Sequence, residues 1–299
     1  MITTPLLTES PAGLAALAHV SVLYTDLDGT LLAQGGALLS DADGEPSFST
    51  AEAIVALRRA ALIVVPISGR NQLQMFELSR LVGWTDFIAE LGCVFVAGTG
   101  ARREVTYNTG DWPEDTLTTN QTPFEAIADS GAVDLLRKAF PGHVEYHAPW
   151  HHDREATHLL RGCLDAVEAQ AVLDTLELPV AILDNGLIRP PAHHLTCKGD
   201  IHAYHLVPAG VSKVQALEFD LARRGLSRKD AAGIGDSATD LGMAPAVGVM
   251  ALVANGFDSP KLATVIAASP EDNIVRLAGE RGDGWIEFAE AWLAARQAK

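Results

Sequence analysis

Two aspartates, Asp26 and Asp28, stand one residue apart in "YTDLDGTLL", at the end of an apolar run. Neighbouring carboxylates repel and are costly to desolvate, so a cation or a reaction has to account for them. Three more polar stretches follow apolar runs or open helices: "SGR" (Ser68, Gly69, Arg70), Lys213, and "GDSATD" from Gly235 to Asp240. Together they offer the carboxylates of Asp26, Asp28, Asp236 and Asp240, the hydroxyl of Ser68 with adjacent amides such as that of Gly69, and the ammonium of Lys213. That set suits phosphoryl transfer. A carboxylate attacks phosphorus, magnesium on hard oxygen ligands screens the repulsion, and hydroxyl, amides and lysine grip the equatorial oxygens. A second carboxyl group protonates the leaving oxygen and then acts as base towards water. Asp26 would attack and Asp28 would move protons, provided their environments differ.

The elements around these residues read as a parallel α/β sheet. Val20 to Thr25 is short, apolar and β-branched, a buried strand. "STAE" from Ser49 is a capping box that opens a helix to about Ala61. "LIVVPI" is a second buried strand with Pro66 near its end, where a lost ladder bond costs least. "NQLQMFELSRLVG" is a helix closed by Gly83. Strand, helix, strand, helix is the parallel α/β signature, and ligands of such sheets bind beyond the carboxyl ends of the strands. "FIAE", "CVFVAG" and "REVTYN" then read as hairpin strands. From Asp111 to about Val207 the chain mixes helices with strands such as "ATHLLRGCL", "VAILDNGLIRP" and "DIHAYHLV". The parallel pattern resumes with a helix from Ser212 to Arg224, strand "AAGIG", a helix from Ser237 and strand "AVGVMALV". The expected fold is α/β: a Rossmann-like parallel-sheet core, residues 1–106 and 207–299, with an inserted α/β cap, 107–206, that contains an antiparallel sheet.

Bulk properties bound the function. A formal net charge of −16 argues against a phosphate-backbone partner, so no nucleic acid is expected. No uninterrupted apolar run reaches the roughly 18 residues of a membrane span, and "GLAALAHVSVL" lacks the basic start of a secretory signal. The chain reads as cytoplasmic and without a membrane partner; its oligomeric state is open. Cys93, Cys163 and Cys197 are odd in number and far apart, which predicts three reduced thiols.

At "DLDGT", "SGR", the "SK" of Ser212–Lys213 and "GDSATD", the sequence resembles the haloacid dehalogenase superfamily, whose four motifs these match in order over about two thirds of the chain. The resemblance implies Asp26 as nucleophile, Asp28 as acid/base, magnesium on Asp26, the carbonyl of Asp28 and Asp236, and Ser68, Gly69 and Lys213 on the phosphoryl group, with Asp240, Thr30 and Thr239 in support. The insertion between Ser68 and Lys213 is similar to the large cap of sugar phosphatases and phosphomannomutases. Two departures stand out: Thr239 where many relatives have Asn, and "ELG" from Glu90 where many have "ENG". The implied function is a magnesium-dependent phosphatase acting on a small phosphorylated metabolite, a sugar phosphate above all. A phosphomutase and a non-catalytic binding protein on the same fold are the rivals.

Several blander readings compete. Asp41, Asp43, Glu45 and Glu52 occupy EF-hand loop positions, but Pro46 stands where the turn needs Gly, so the loop is a solvated flap. "GIGDSA" fits the loose dinucleotide pattern, yet Asp236 would face a pyrophosphate. Ser68 could simply cap the next helix, Arg70 is expected to support its loop, and Lys198 competes with Lys213. The histidines of "HAPWHHD" lack zinc spacing. In the cap, Arg161, His194 and Lys198 are the candidate substrate contacts, and Trp285 and Trp292 are expected in the core.

Overall fold

The structure, a computed structural model, describes residues 4–98, 102–190 and 192–298. The chain begins with α1 (Pro11–Leu17), β1 (Val22–Thr25), α2 (Ser49–Arg59), β2 (Ile63–Pro66) and α3 (Gln72–Val82), then three short strands, β3 (Phe87–Ala89), β4 (Val94–Ala97) and β5 (Glu104–Tyr107). Next come α4 (Pro123–Asp129), α5 (Ala132–Ala139), β6 (Val144–Tyr146), β7 (His158–Gly162), α6 (Ala166–Leu173), β8 (Val180–Leu187) and β9 (His202–Pro208). The last elements are α7 (Lys213–Arg224), β10 (Ala231–Gly235), α8 (Ala238–Leu241), β11 (Val249–Leu252), α9 (Pro260–Ala268), β12 (Ile274–Arg276) and α10 (Arg281–Gln297).

Five strands pair in the order β12-β11-β10-β1-β2, all in parallel. Helices cover both faces, and the period-two alternation of strand side chains divides the core accordingly. Leu23, Ala232, Ile234, Val249 and Ala251 pack towards Leu17, Leu57, Trp285, Phe288 and Trp292. Their neighbours Val22, Tyr24, Ala231, Met250 and Leu252 pack towards Leu217, Leu221, Leu241 and Leu262. Trp285 and Trp292 are buried as expected, and their indole N–H groups donate to Thr25 Oγ1 and the Val20 carbonyl, so neither polar atom is stranded. Pro66 lies at the last position of β2, the sheet's end strand, where its missing N–H is tolerated.

A small antiparallel sheet, β3-β4-β5, adjoins the end of β2. The remaining sheet, β6-β7-β9-β8, is antiparallel throughout. One face packs on α4, α5 and α6 through Leu160, Tyr204 and Leu206 against Ile127, Leu136 and Leu173. By the same alternation its other face carries Leu159, Ala203 and His205, and these look onto the carboxyl end of the parallel sheet.

Two expectations need correction. Ser49 is not an N-cap: Phe48 holds that position with no side-chain bond, and Ser49 is the first helical residue, its N–H donating to Ser47 Oγ. Cys163 and Cys197 form a disulfide, leaving only Cys93 free and buried. Cys163 follows β7 and Cys197 precedes β9. The loop between β8 and β9 folds back so that the Thr196 N–H donates to the Gly142 carbonyl, which brings the two Cα atoms to 6.3 Å. That separation is within bonding range. Cysteines far apart in sequence became neighbours through strand pairing, which a count alone does not reveal.

Candidate active site

The four motifs converge where the parallel strands end. Asp26 follows β1 directly, and its N–H donates to the Ile234 carbonyl of β10. Lys213, the first residue of α7 and buried, donates 2.8 Å to Asp26 Oδ1 and 2.6 Å to Asp240 Oδ1. Asp240 is also buried, and its other oxygen accepts from the N–H groups of Asp236 and Ser237 and from Ser237 Oγ. This reciprocal box at the start of α8 fixes the loop that carries Asp236. Thr30 Oγ1 and Asn255 Nδ2 donate to the two Asp236 oxygens at 3.4 and 3.5 Å. Gly29, at φ +88°, passes so close that a Cβ there would lie 2.5 Å from Asp236 Oδ2, which excludes any larger residue. Thr239 borders the same cavity, and its hydroxyl bonds Ser237 Oγ.

Ser68 is buried, and its hydroxyl accepts the Arg70 N–H at 3.3 Å. It does not cap α3, whose N-cap is Asn71 with a reciprocal bond to Gln74. Arg70 forms a two-pronged ion pair with Asp28, at 2.8 and 2.6 Å. Asp28 is about half exposed there, unlike buried Asp26. The two neighbouring aspartates thus occupy different environments.

Oxygens of Asp26, Asp236 and Asp240 all lie within 4.8 Å of one another. With Lys213 the cluster has a formal charge of −3 + 1 = −2. Burial first, opposed by Lys213 and reinforced by Asp240 and Asp236, pushes the Asp26 carboxyl well above the usual range. Burial and Asp240 push Asp236 up to about 7. Lys213 is held protonated by Asp240 and Asp26 against the effect of burial. A hard divalent cation would cancel the residual charge and relieve both carboxylates, so the donor set fits magnesium.

Residues 196–276 match the haloacid dehalogenase-like hydrolase family. A phosphoglycolate phosphatase of Halobacterium salinarum is 34% identical over 151 residues, 50% of this chain and 62% of the relative. A phosphoglycolate phosphatase of Methanoculleus marisnigri is 29% identical over 240 residues, 79% of this chain and 85% of the relative. A Thermoplasma acidophilum structure superposes with a TM-score of 0.60 at 16% identity, covering 92% of this chain and 98% of that one. A Synechocystis sucrose-phosphatase structure, in complex with sucrose and phosphate, gives 0.59 at 13% identity over 92% and 98% of the two chains. The chain thus resembles haloacid dehalogenase-like hydrolases over residues 196–276 and phosphoglycolate phosphatases over half or more of its length. It spans 62% of the length of the first curated relative it matches, and at these identities the structural likenesses carry the fold.

The cavity over the motifs measures about 720 Å³. Asp26, Asp28, Ser68, Gly69, Arg70, Lys213 and Asp236 form its floor; His147, Trp150, Leu159, Asn185, Ile188 and His205 form its roof. Arg161, His194 and Lys198 are not among its lining residues. Arg161 is buried in an ion pair with Glu145 at 2.6 Å, while His194 and Lys198 are exposed. The alternation of β7 puts Arg161 two residues beyond Leu159, and Glu145 on adjacent β6 meets it there.

Glu90, the departure in "ELG", is fully buried and accepts from the N–H groups of Glu155, Ala156 and Thr157 and from Thr157 Oγ1. Arg154 lies 3.8 Å from it and donates to the carbonyls of Gly69 and Trp150 and to Thr157 Oγ1. The N–H groups of Glu90 and Leu91 donate to the carbonyls of Arg70 and Ser68, with both residues in left-handed backbone, φ +52° and +61°. The turn thus joins the Ser68–Arg70 loop to the start of β7. Sequence reading flagged the unusual turn but could not supply its partners 65 residues away. Arg154 and His205 were missed altogether. The only cue to His205 was its place in the alternating strand "HAYHLV".

Proposed function

We propose that the chain is a magnesium-dependent phosphatase of a small phosphorylated metabolite, a sugar phosphate above all, working through an aspartyl-phosphate. The supporting observation is the convergence of buried Asp26, Asp236 and Asp240 on Lys213, beside Ser68, where the parallel strands end. In this reading residues 1–106 and 207–299 form the catalytic core and 107–206 the cap. Asp26 attacks phosphorus, and the ester oxygen departs with a proton supplied by Asp28. Water, deprotonated by Asp28, then attacks the aspartyl-phosphate and frees Asp26. Lys213, the Ser68 hydroxyl and the Gly69 N–H hold the phosphoryl oxygens. Asp26, the Asp28 carbonyl and Asp236 would hold magnesium, which when bound offsets carboxylate–phosphate repulsion. Asp28 must loosen its pair with Arg70 before it can carry a proton.

The test is release of inorganic phosphate from a panel of sugar phosphates and p-nitrophenyl phosphate, with magnesium and with EDTA. Magnesium-dependent release supports the reading. Isomer formation without phosphate release would make the chain a mutase, and no turnover of any ester would refute both.

A further inference from the structure

Among the described residues, the guanidinium groups that line the cavity, Arg70 and Arg154, each face a carboxylate, Asp28 and Glu90. Arg154 is set against buried Glu90 and spends three donors on Gly69, Trp150 and Thr157; Arg161 is paired with Glu145. Arg154 with Glu90, and Arg161 with Glu145 behind the lining, leave this side of the cavity with no formal net charge. Below it the carboxylate cluster is already at a formal −2, so the one dianion the floor can take with a divalent cation is the phosphoryl group itself.

What the roof does have to spare is uncharged. His205 is buried beside the phosphate loop; a Cβ on Gly69 would lie 3.5 Å from its Cε1 and Nε2. Its Nδ1 is buried without a partner, and so is Nδ1 of His147. Burial, then the nearby charges of Arg154, His147 and Lys213, holds the His205 imidazole neutral. Burial, Arg161, Arg154 and His151 hold His147 at about 4. A neutral imidazole offers one donor and one acceptor, which suits a hydroxyl and leaves a carboxylate poorly matched. Trp150, 52% exposed at the cavity's edge, adds an apolar surface for a ring's C–H face.

We propose that His205, His147 and Trp150 form a leaving-group site for a neutral, hydroxylated moiety, and that the site discriminates against esters whose leaving group bears a carboxylate. This rests on the phosphatase reading and makes it narrower: the chain parts company with the named activity of its curated relatives, whose leaving group is glycolate.

The experiment compares kcat/KM of the magnesium-loaded wild type on glucose 6-phosphate, glycerol 3-phosphate, phosphoglycolate and p-nitrophenyl phosphate. The neutral polyol esters are expected to exceed phosphoglycolate by about tenfold or more. In His205→Asn, with folding checked by circular dichroism, the ratio of kcat/KM for the best polyol ester to that for p-nitrophenyl phosphate should shrink about tenfold. Asn185→Lys, which puts a cation on the exposed part of the roof, should raise the relative use of phosphoglycolate. Turnover of phosphoglycolate equal to or better than that of the polyol esters overturns the proposal while leaving the phosphatase reading intact. Failure of p-nitrophenyl phosphate and all other esters to release phosphate overturns both. The wild-type comparison decides the matter even if neither variant folds.

Discussion

Lys213→Met would test the reaction centre most directly. It keeps most of the side chain's bulk and removes its charge and its hydrogen-bond donors. The lysine touches Asp26 at 2.8 Å and Asp240 at 2.6 Å, almost wholly out of water. Ion contacts near 4 Å are worth about 4 kcal/mol each before desolvation, at an effective dielectric of about 20. Removing one partner of a buried group typically costs about 3–5 kcal/mol. Protonation of Asp26 or Asp236 recovers part of this, since both carboxyls already stand high. Loss of a preorganised cation from the transition state should cost on the order of 3 kcal/mol, roughly a hundredfold in kcat. The cluster's formal charge falls from −2 to −3, so magnesium should raise the melting temperature of the variant more than that of the wild type. The assays are p-nitrophenyl phosphate turnover and thermal melts, each in magnesium and in EDTA. A variant with kcat/KM within threefold of wild type and the same magnesium-induced stabilisation would refute the role given to Lys213.

Asp26→Asn should abolish turnover without unfolding, because it removes a buried charge and a nucleophile together; near-normal phosphate release by the folded variant would contradict the mechanism. Asp236, pushed up to about 7 from 3.8, binds in the native state a proton that the unfolded chain has released. Stability of the metal-free protein should therefore fall as pH rises from about 4 to 7, and the gain from magnesium should grow over the same range, which melts at pH 5 and 7.5 would reveal. Glu90→Ala should destabilise by about 3 kcal/mol or more, since it strands Arg154 and three backbone donors; a melt unchanged from wild type would mean the turn is dispensable. His194→Ala and Lys198→Ala lie outside the cavity, and steady-state kinetics should show kcat/KM unchanged for every ester.

The core was legible because its signals are local. The apolar run before Asp26, the Asn71 and Gly83 ends of α3, and the "GDSATD" turn each carry their own instructions, and a parallel sheet then brings the strand ends together. Ser49 misled because three hydroxyl residues, Ser47, Ser49 and Thr50, stand within four positions of the helix start. Two cap-segment helices had readable starts, such as the Thr122–Glu125 capping box before α4, but lay in a stretch with no strong period. The cavity roof was illegible for a different reason. Whether Arg161 or His205 faces the site depends on which strand pairs with which, and on Glu145 arriving beside Arg161. Those partners come from tertiary register, and no local pattern encodes them.

The bonds that fasten residues 154–157 to Glu90 and Gly69 also limit how the chamber can open. That segment runs straight into β7, an interior strand of the antiparallel sheet, and Ala181, Leu183 and Val207 of β8 and β9 join the same hydrophobic cluster as the parallel sheet, so the antiparallel sheet is held at more than one place. Lifting the roof there would strip Glu90 of its three backbone donors and Arg154 of Glu90 and the Gly69 carbonyl. Gly35 and Asn185, both exposed, border the cavity at its open edge. The bonds that brace the Ser68–Arg70 loop thus also fix which side of the chamber is held shut.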